Sequence, residues 1–394
     1  MSKRKAAHKE QQRQRWQEQR RARKTIRHNT AANQEKHRQD WQPLQPDEFG
    51  MVADRRIMPR DEEERRQALE TEVGQPLPGR DAEQAWHDIA AESPFPLGVV
   101  IEVSRGLCRV MVGQERLLCD IRGALIAEGT GLVNVVAVGD RVLVRPLEAG
   151  HGLVETVLAR RSGLVRPDPL YSHLKQIIAA NVDQLLIVAS WREPHLWLLM
   201  IDEYLIAAAR NHLQAVICIN KMDLAEDPAG VRTLLQPYEA LGYPVLLTSV
   251  PAGLGLAGLH QALCGRTTVL AGLSGVGKSS LLMAIDPQLD LRTRTISRKF
   301  SEGRHTTTQA VMLPLSAGGY VVDTPGIREM GLAGLTPPDL LDHYPDIAAL
   351  AARCRFSDCT HDHEPGCAVK AAAARHQLPA WRLENYQRLL AQMC

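Results

Sequence analysis

Apolar runs alternate with amphipathic segments between Ala179 and Arg328, and this alternation predicts a doubly wound parallel sheet covered by helices. The candidate strands are Val182–Ser190, Ala215–Ile219, Val245–Ser249, Thr267–Ala271, Ala310–Leu315 and Tyr320–Val322, and a helix is predicted over Ser279–Ile285. Open α/β sheets bind their ligands at the carboxyl ends of the strands. The residues that follow these strands are therefore the first candidates for function.

A different pattern occupies residues 94–161, where short β-type runs are separated by glycine-containing turns. The runs are Leu97–Val103, Leu107–Val112, Glu115–Cys119, Asp140–Val144 and Gly152–Val157. This spacing predicts a small closed barrel of five strands. An OB-fold fits that number and would offer a nucleic-acid surface, although Phe95 is the single aromatic residue of the span. A purely structural β-domain is the alternative.

Charge divides the first 93 residues into two blocks that the net charge of +2 conceals. Residues 1–42 carry 13 Lys/Arg against 4 Asp/Glu, whereas residues 43–93 carry 6 against 13. With little periodic hydrophobicity, this segment is predicted to be a mobile basic and acidic leader. The stretch Ala6–Lys24 contains good helix formers, so a helix that forms on a polyanion is one hypothesis. A solvated tail without a fixed partner is the other.

The compartment follows from what the sequence lacks. Residues 1–40 contain no apolar core of a signal peptide, and no stretch approaches the roughly 20 apolar residues of a membrane helix. We therefore expect a cytoplasmic protein without a membrane partner. Its eight cysteines are then thiols or metal ligands. Cys108, Cys119, Cys218 and Cys264 lie in apolar runs and are predicted to be buried thiols.

A phosphate-binding loop is predicted at residues 272–279, which match G-x-x-x-x-G-K-S between a strand and a helix. Glycines let the backbone N–H groups point at phosphates, Lys278 should bridge the β- and γ-phosphates, and the Ser279 hydroxyl should bind Mg²⁺. The residues assigned to nucleotide binding here are Gly272, Ser274, Gly275, Val276, Gly277, Lys278, Ser279 and Ser280.

Guanine recognition is predicted for Asn220, Lys221 and Asp223, an N-K-x-D quartet after an apolar strand. An aspartate accepts hydrogen bonds from the ring N–H and exocyclic amine of guanine, which adenine does not offer in that arrangement. Thr248 and Ser249 close the next strand and resemble the segment that backs the base. The quartet precedes the phosphate loop, the reverse of the order in an ordinary small GTPase. This inversion predicts a circularly permuted domain.

The switch elements follow the phosphate loop. Asp323 and Gly326 belong to a D-x-x-G segment, in which the Asp holds Mg²⁺ through water and the Gly amide faces the γ-phosphate. Thr307, or a neighbouring threonine, is the candidate second Mg²⁺ ligand. Ile327 stands where a water-orienting glutamine is common, and an aliphatic side chain cannot orient water. His305 is the candidate catalytic residue beside Lys278; its alternative role is to contact RNA or to pack the switch.

A metal site is predicted near the carboxyl terminus, where Cys354, Cys359, His361 and Cys367 give C-x4-C-x-H-x5-C. Three thiolates and one imidazole suit a closed, structural Zn²⁺ site. His363 is an alternative to His361, and independent core cysteines are an alternative to any metal site. The flanking segments Asp339–Arg353 and Ala368–Met393 are predicted to be helical.

Together these motifs resemble the RsgA (YjeQ) family of bacterial ribosome-assembly GTPases, over residues 94–394. The resemblance implies an OB-fold, binding to the small (30S) ribosomal subunit near the decoding region of 16S rRNA, and GTP hydrolysis stimulated by that subunit. It implies GTP/GDP, Mg²⁺ and Zn²⁺ as cofactors. The leader is longer than this family requires, and Val250 is a small departure beside the base.

The predicted architecture is a β-barrel (OB-fold), a circularly permuted P-loop α/β GTPase domain and a C-terminal helical zinc-finger domain, at residues 94–161, 162–333 and 334–394 after the leader. The predicted function is a monomeric GTPase in late maturation of the small ribosomal subunit. One rival is a GTP-gated RNA-binding scaffold with negligible turnover, motivated by Ile327. An ATP-using P-loop enzyme is another, against which Asn220 and Asp223 argue.

Overall fold

The computed structural model describes residues 79–104, 107–121, 135–148, 150–167, 175–289, 310–323 and 335–393. Within them a β-barrel, an α/β sheet and a group of short helices follow one another along the chain, which confirms the predicted fold class. The helix predicted over Ala6–Lys24 lies outside the described residues. No helix in the described ranges combines the length and apolar character that a bilayer crossing requires.

Five strands form the barrel: β1 (Leu97–Ser104), β2 (Leu107–Val112), β3 (Glu115–Ile121), β4 (Arg141–Pro146) and β5 (His151–Val157). They pair in the order β1-β2-β3-β5-β4, and β4 pairs again with β1, which closes the sheet. All pairs are antiparallel except β3 with β5. Alternate side chains point inward, so Val100, Val110, Val142 and Val154 form a dense β-branched core. This is the predicted OB-fold, with strand ends within two residues of the predicted ones.

A helix, α1 (Gly79–Glu92), precedes the barrel, so the prediction of a mobile leader does not hold for these residues. Trp86 packs on Leu143 and Leu158 and is only 2% exposed. Its indole Nε1 donates a hydrogen bond to the carbonyl of Ala159 (2.9 Å). The leader is dominated by charge, and a single tryptophan that docks the helix is not visible as a periodic pattern.

An antiparallel strand pair that the sequence reading missed links the barrel to the α/β sheet: β6 (Gly163–Pro167) and β7 (Lys175–Ala180). Asn181, directly after β7, is fully buried, and its Nδ2 donates to the carbonyl of Gly139 in the barrel (2.9 Å). The backbone N–H of Ala180 donates to the Val138 carbonyl (2.7 Å). The barrel is therefore hydrogen-bonded to the segment that starts the next domain.

Six strands form the α/β sheet: β8 (Gln184–Ser190), β9 (Gln214–Asn220), β10 (Val245–Leu247), β11 (Thr267–Ala271), β12 (Val311–Pro314) and β13 (Tyr320–Asp323). Their order is β10-β9-β8-β11-β13-β12, parallel except for β12. Helices α2 (Leu198–Arg210), α3 (Pro228–Ala240), α4 (Leu256–Leu263) and α5 (Lys278–Ile285) connect the strands. All seven residues of β8 are buried because helices cover both faces of the sheet.

Barrel and α/β sheet form one continuous sheet, since β1 pairs with β12 where Glu102 lies opposite Val311. The strand β12, paired with β13 on one side and β1 on the other, thus joins the α/β sheet to the barrel.

Four short helices follow: α6 (Pro337–Asp342), α7 (Pro345–Ala351), α8 (Ala368–Ala374) and α9 (Ala380–Ala391). The two helical segments predicted here are each broken, because Pro345 starts α7 and Pro379 caps α9. Their apolar side chains share one core with Leu199 and Ile206 of α2. The C-terminal helices therefore pack on the α/β domain rather than standing apart.

Candidate nucleotide and metal sites

The predicted phosphate loop runs from the end of β11 to the start of α5. Gly272 and Gly277 have φ of +137° and +97°, a region that side chains with a Cβ rarely adopt. A Cβ on Gly272 would collide with the carbonyl oxygen of Val188, and one on Gly277 would collide with Asn220 Nδ2. The loop therefore needs glycine at both positions for conformation and for space.

Two side chains hold the loop in place. Val276 is 1% exposed and packs into the core below the loop. Lys278 Nζ donates to the carbonyls of Gly272 and Leu273, both at 2.8 Å, so its ammonium lies over the loop. Ser274, Gly275 and Ser280 are exposed, and Ser279 is half-buried in the first turn of α5. An ammonium at the centre of a loop at a helix amino terminus provides the positive potential that phosphates require.

The predicted guanine quartet begins at the last residue of β9. Asn220 is 3% exposed, and its Nδ2 donates to the carbonyl of Val276 in the phosphate loop (2.9 Å). Its Oδ1 accepts from the buried hydroxyl of Thr248 (3.2 Å), which fixes which way the amide faces. This amide joins the two predicted halves of the nucleotide site directly.

Lys221 and Asp223 point away from the core. Lys221 adopts left-handed φ (+59°), and its Nζ donates to the carbonyl of Glu193. Asp223 is exposed, and its Oδ1 accepts from the hydroxyl of the fully buried Ser249 (2.5 Å). Ser249 thereby holds one carboxylate oxygen of Asp223. Thr248 and Ser249 thus support the quartet from the end of the neighbouring strand; their predicted place behind the base stays a prediction.

Asp323 is the last residue of β13 and lies in register with Leu270 of β11, the strand that leads to the phosphate loop. Asp323, the loop and the quartet therefore share the carboxyl edge of one parallel sheet. Thr307, His305 and Gly326 lie outside the described residues, and their assignments stay predictions.

Sequence reasoning missed the segment Trp191–Trp197, which follows β8 at the same edge and carries no recognisable motif. Its Glu193 carbonyl accepts from Lys221, and Pro194 lies beside Gly275, whose Cβ would be 3.9 Å from the proline Cδ. The Ser190 hydroxyl donates to the carbonyl of Pro194 (2.7 Å) and shapes the turn. Its position in the sequence could have revealed it, because the segment follows the carboxyl end of a central parallel strand, where open α/β sheets bind ligands.

The four predicted metal ligands come together in the C-terminal domain, with their ligand atoms within 4.8 Å of one another. His361 Nδ1 lies 3.6 Å from Cys354 Sγ and 3.5 Å from Cys367 Sγ, and these two sulfurs are 3.9 Å apart. His361 is 1% exposed, whereas the His363 side chain is 80% exposed and is not one of the four residues whose ligand atoms lie together. The geometry favours His361 over His363 as the imidazole of the set.

This donor set fits Zn²⁺. A tetrahedron with metal–sulfur bonds of about 2.3 Å has edges of about 3.8 Å, close to the observed separations. Burial lowers the pKa of His361, which favours the neutral imidazole that a metal needs. Gln387 Nε2 donates to the His361 carbonyl (2.7 Å), and the Tyr386 ring lies 5.8 Å from the imidazole. Cys354, Cys359, His361 and Cys367 would hold zinc in a closed site that stabilises structure.

The remaining cysteines correct one prediction. Cys108, Cys119 and Cys218 are buried, and burial raises the pKa of Cys119 to about 12 and of Cys218 to about 11. Such thiols are unreactive. Cys264 is exposed, so its predicted burial was wrong. It caps the end of α4, where the chain turns away from the core, and its Sγ donates to the carbonyl of Ala317 (3.2 Å).

Several known proteins are similar to this chain. The RsgA GTPase family model matches residues 157–333. The small ribosomal subunit biogenesis GTPase RsgA of Thermotoga maritima is 40% identical over 281 residues, 71% of this chain and 90% of that protein. The same-named protein of Gemmatimonas aurantiaca is 40% identical over 296 residues, 74% of this chain and 95% of that protein.

Two solved structures are similar as well. The crystal structure of YjeQ from Thermotoga maritima has a TM-score of 0.58 and 35% identity, covering 76% of this chain and 98% of that chain. YloQ, described as a circularly permuted GTPase, has a TM-score of 0.54 and 28% identity, covering 76% and 95%. The fold and the order of the nucleotide motifs thus define a circularly permuted GTPase. Within that class, the chain belongs to the RsgA GTPase family.

Proposed function

We propose that this protein is a GTP hydrolase that acts as a nucleotide-switched factor in maturation of the small ribosomal subunit. The observation that carries the proposal is the hydrogen bond from Asn220 to the Val276 carbonyl, which joins a guanine-type quartet to a phosphate loop in permuted order. Relatives named for small ribosomal subunit biogenesis match this chain over nine-tenths or more of their length.

The nucleotide site divides into two halves with different tasks. Asp223, held by Ser249, accepts hydrogen bonds from the guanine edge and selects against adenine. Asn220 and Thr248 fix the distance between the base half and the phosphate half, and Lys221 lines the base half. The phosphate half consists of Gly272, Ser274, Gly275, Val276, Gly277, Lys278, Ser279 and Ser280.

Hydrolysis needs residues that respond to the γ-phosphate. Lys278 stabilises negative charge between the β- and γ-phosphates, while Ser279, Thr307 and, through water, Asp323 would hold Mg²⁺. When bound, Mg²⁺ neutralises charge that develops on the phosphates. Gly326 senses the γ-phosphate through its amide. His305 orients the attacking water, a task that Ile327 cannot perform.

The parts of the chain outside the nucleotide site serve its action on the ribosomal subunit. We propose a leader (residues 1–93, with α1 at its end), an OB-fold barrel (94–161), the GTPase domain (162–333) and a zinc-binding helical domain (334–394). The barrel and the basic leader bind 16S rRNA through its phosphates. The protein acts in the cytoplasm as a monomer. Because the barrel and the nucleotide-binding strands belong to one continuous sheet, rRNA contact and nucleotide state can be coupled on the ribosomal subunit.

Phosphate release from GTP and from ATP tests the proposal, measured with and without purified small subunits. The parent should turn over GTP slowly alone, severalfold faster with subunits, and ATP not at all. An Asp223→Asn variant should bind GTP at least about a hundredfold more weakly. An Asp227→Asn variant is the control, because this exposed carboxylate lies four residues on and caps α3 through the Gly230 N–H (3.0 Å).

The same assay separates the rivals. GTP-dependent subunit binding with negligible turnover would replace the enzyme by an RNA-binding scaffold. Displacement of GTP by equal concentrations of ATP would favour an ATP-using enzyme. A chain that lacks residues 1–42 should lose subunit affinity and salt dependence if the basic leader binds rRNA.

A further inference from the structure

A buried carboxylate ties the GTPase domain to the C-terminal helices. Asp202 of α2 is 2% exposed, and four donors reach it. Its Oδ1 accepts from Arg382 Nη1 (2.6 Å) and the Tyr238 hydroxyl (2.9 Å). Its Oδ2 accepts from Asn385 Nδ2 (2.8 Å) and the Tyr344 hydroxyl (3.1 Å). Burial raises the pKa of Asp202, whereas Arg382 and the three neutral donors oppose that rise because all four hydrogen bonds suit an ionised carboxylate.

Arg382, the cation that pairs with Asp202, is equally buried. Arg382 is 2% exposed, its Nε donates to Asp346 (2.9 Å), and its guanidinium lies 4.2 Å from the Tyr344 ring centroid. Burial lowers the pKa of Arg382, but Asp202 and Asp346 outweigh it and raise the pKa above its ordinary value. We call Asp202, Tyr238, Tyr344, Asp346, Arg382 and Asn385 the Asp202 network. Two of its members belong to the GTPase domain and four to the C-terminal domain.

A buried ion pair is weak evidence for stability, because its desolvation offsets the attraction between the charges. Its directional hydrogen bonds instead fix one relative orientation of the helices that carry them. The question is therefore what depends on the position of α2.

The amino end of α2 continues into the segment Trp191–Trp197, which contacts the nucleotide site. The Tyr238 hydroxyl oxygen also lies 3.3 Å from the carbonyl oxygen of Leu198, the first residue of α2. Upstream, the Glu193 carbonyl accepts from Lys221, and Pro194 lies beside Gly275 of the phosphate loop. The Asp202 network thus holds the helix end from which this segment extends to both halves of the site.

At its other end the network reaches the metal ligands. Tyr386 of α9 packs edge-on against Tyr344 with ring centroids 5.3 Å apart, and also against His361. Its neighbour Gln387 donates to the His361 carbonyl. One helix, α9, therefore carries the contacts to the metal cluster and, through Arg382 and Asn385, those to Asp202.

We propose that Asp202 is a positioning residue through which the metal-bearing C-terminal domain holds the Trp191–Trp197 segment against the nucleotide site and so sustains guanine-nucleotide affinity. This inference rests on the nucleotide site of the proposed function. Asp202 does not touch the nucleotide; it acts through α2, Glu193 and Lys221. Metal loading and nucleotide affinity are then linked, and each raises the other.

An Asp202→Asn variant tests this, because it keeps the side-chain size and leaves Arg382 paired with Asp346. At a temperature where circular dichroism shows the full-length variant folded, dissociation of a fluorescent GDP analogue should accelerate and its affinity should fall about fivefold or more. Hydrogen exchange in residues 191–197 should increase. Stripping metal from the parent with a chelator should change both readouts in the same direction.

A Leu340→Ala variant is the matched control, since it removes a buried side chain of the same domain outside the network. It should lower the unfolding temperature without changing GDP dissociation. The proposal is overturned if the folded Asp202→Asn variant releases GDP at the parental rate, or if Leu340→Ala releases it equally fast. Different results would contradict the proposed function: the parent protein binds no guanine nucleotide, or the Asp223→Asn variant binds it as tightly as the parent.

Discussion

Gly277 marks the point at which the two halves of the nucleotide site touch. The Asn220 amide occupies the space where any other residue at position 277 would place its Cβ. The amide is not free to move away, because Val276 and Thr248 hold both of its ends. The base half and the phosphate half can therefore approach this closely only because residue 277 has no side chain.

Replacing Gly277 with alanine should weaken GDP binding at least about tenfold and lower the free energy of unfolding by about 1–3 kcal/mol. The added Cβ must displace the Asn220 amide and also adopt an unfavourable φ of +97°. Titration calorimetry with GDP and thermal denaturation measure the two effects.

A Gly242→Ala variant separates collision from backbone conformation. Gly242 has a similar φ of +88°, but a Cβ there would meet nothing within 4 Å. This variant should lose some stability and keep parental GDP affinity. Equal affinity losses in both variants would show that the Asn220 contact is irrelevant to binding.

At the scale of one element, the loop between α7 and α8 carries the candidate metal site. A bound metal would give this loop the stabilisation that a hydrophobic core gives elsewhere. Its ligands bring together side chains from either end of an exposed, charged stretch. His361 adopts a left-handed φ of +64°, a conformation that histidine adopts more readily than most residues with a Cβ and that His212 and His376 also adopt.

A His361→Ala variant should lose its zinc on dialysis and lose at least about 2 kcal/mol of stability, because three thiols alone leave the tetrahedron incomplete. Elemental analysis and thermal denaturation provide the readouts. His363→Ala is the control, since that side chain is exposed two residues away. Zinc retained by His361→Ala but lost by His363→Ala would reverse the ligand assignment.

At the end of α6, burial and then Arg210 lower the pKa of His343. The unfolded chain therefore binds this proton more tightly than the folded chain, and acid favours unfolding below the ordinary histidine pKa of about 6.5. The free energy of unfolding should fall as the pH is lowered from about 7.5 to 5.5. The slope should be smaller in a His343→Gln variant. An unchanged slope in chemical denaturation at several pH values would contradict this origin.

Elements and motifs differ in how far the sequence predicted them. The phosphate loop, the quartet and the metal cluster are each encoded in a short stretch of chain, 14 residues (354–367) for the longest, so spacing and residue type were sufficient to locate them. The Asp202–Arg382 pair joins residues 180 positions apart, and neither lies in a motif. Packing between helices decides such contacts. The helix α1 was missed for the same reason, because its docking depends on what Trp86 meets in the barrel.

At the scale of the whole molecule, two adjacent arginines at the end of the barrel have different partners: Arg160 pairs within the barrel and Arg161 reaches the α/β domain. Arg160 forms two hydrogen bonds with the fully buried Asp140 of the barrel (2.6 and 2.7 Å). Arg161 pairs with Asp183 of the α/β domain (2.6 Å) and lies 5.8 Å from the ring centroid of Trp86. The leader helix thus contacts the junction as well as the barrel.

Two truncations test whether α1 belongs to the folded unit. A chain of residues 79–394 keeps α1 and is the reference for this comparison. A chain of residues 94–394 loses Trp86, its hydrogen bond to Ala159 and its cover over Leu143 and Leu158. It should be less stable by about 3–5 kcal/mol, the usual cost of removing a buried tryptophan. The difference between the two chains isolates α1, because both lack residues 1–78.

Equal urea midpoints for the two chains would show that the helix contributes nothing to the stability of the barrel. A Trp86→Ala substitution in the longer chain should reproduce most of the loss, since the indole makes the principal contact between α1 and the barrel.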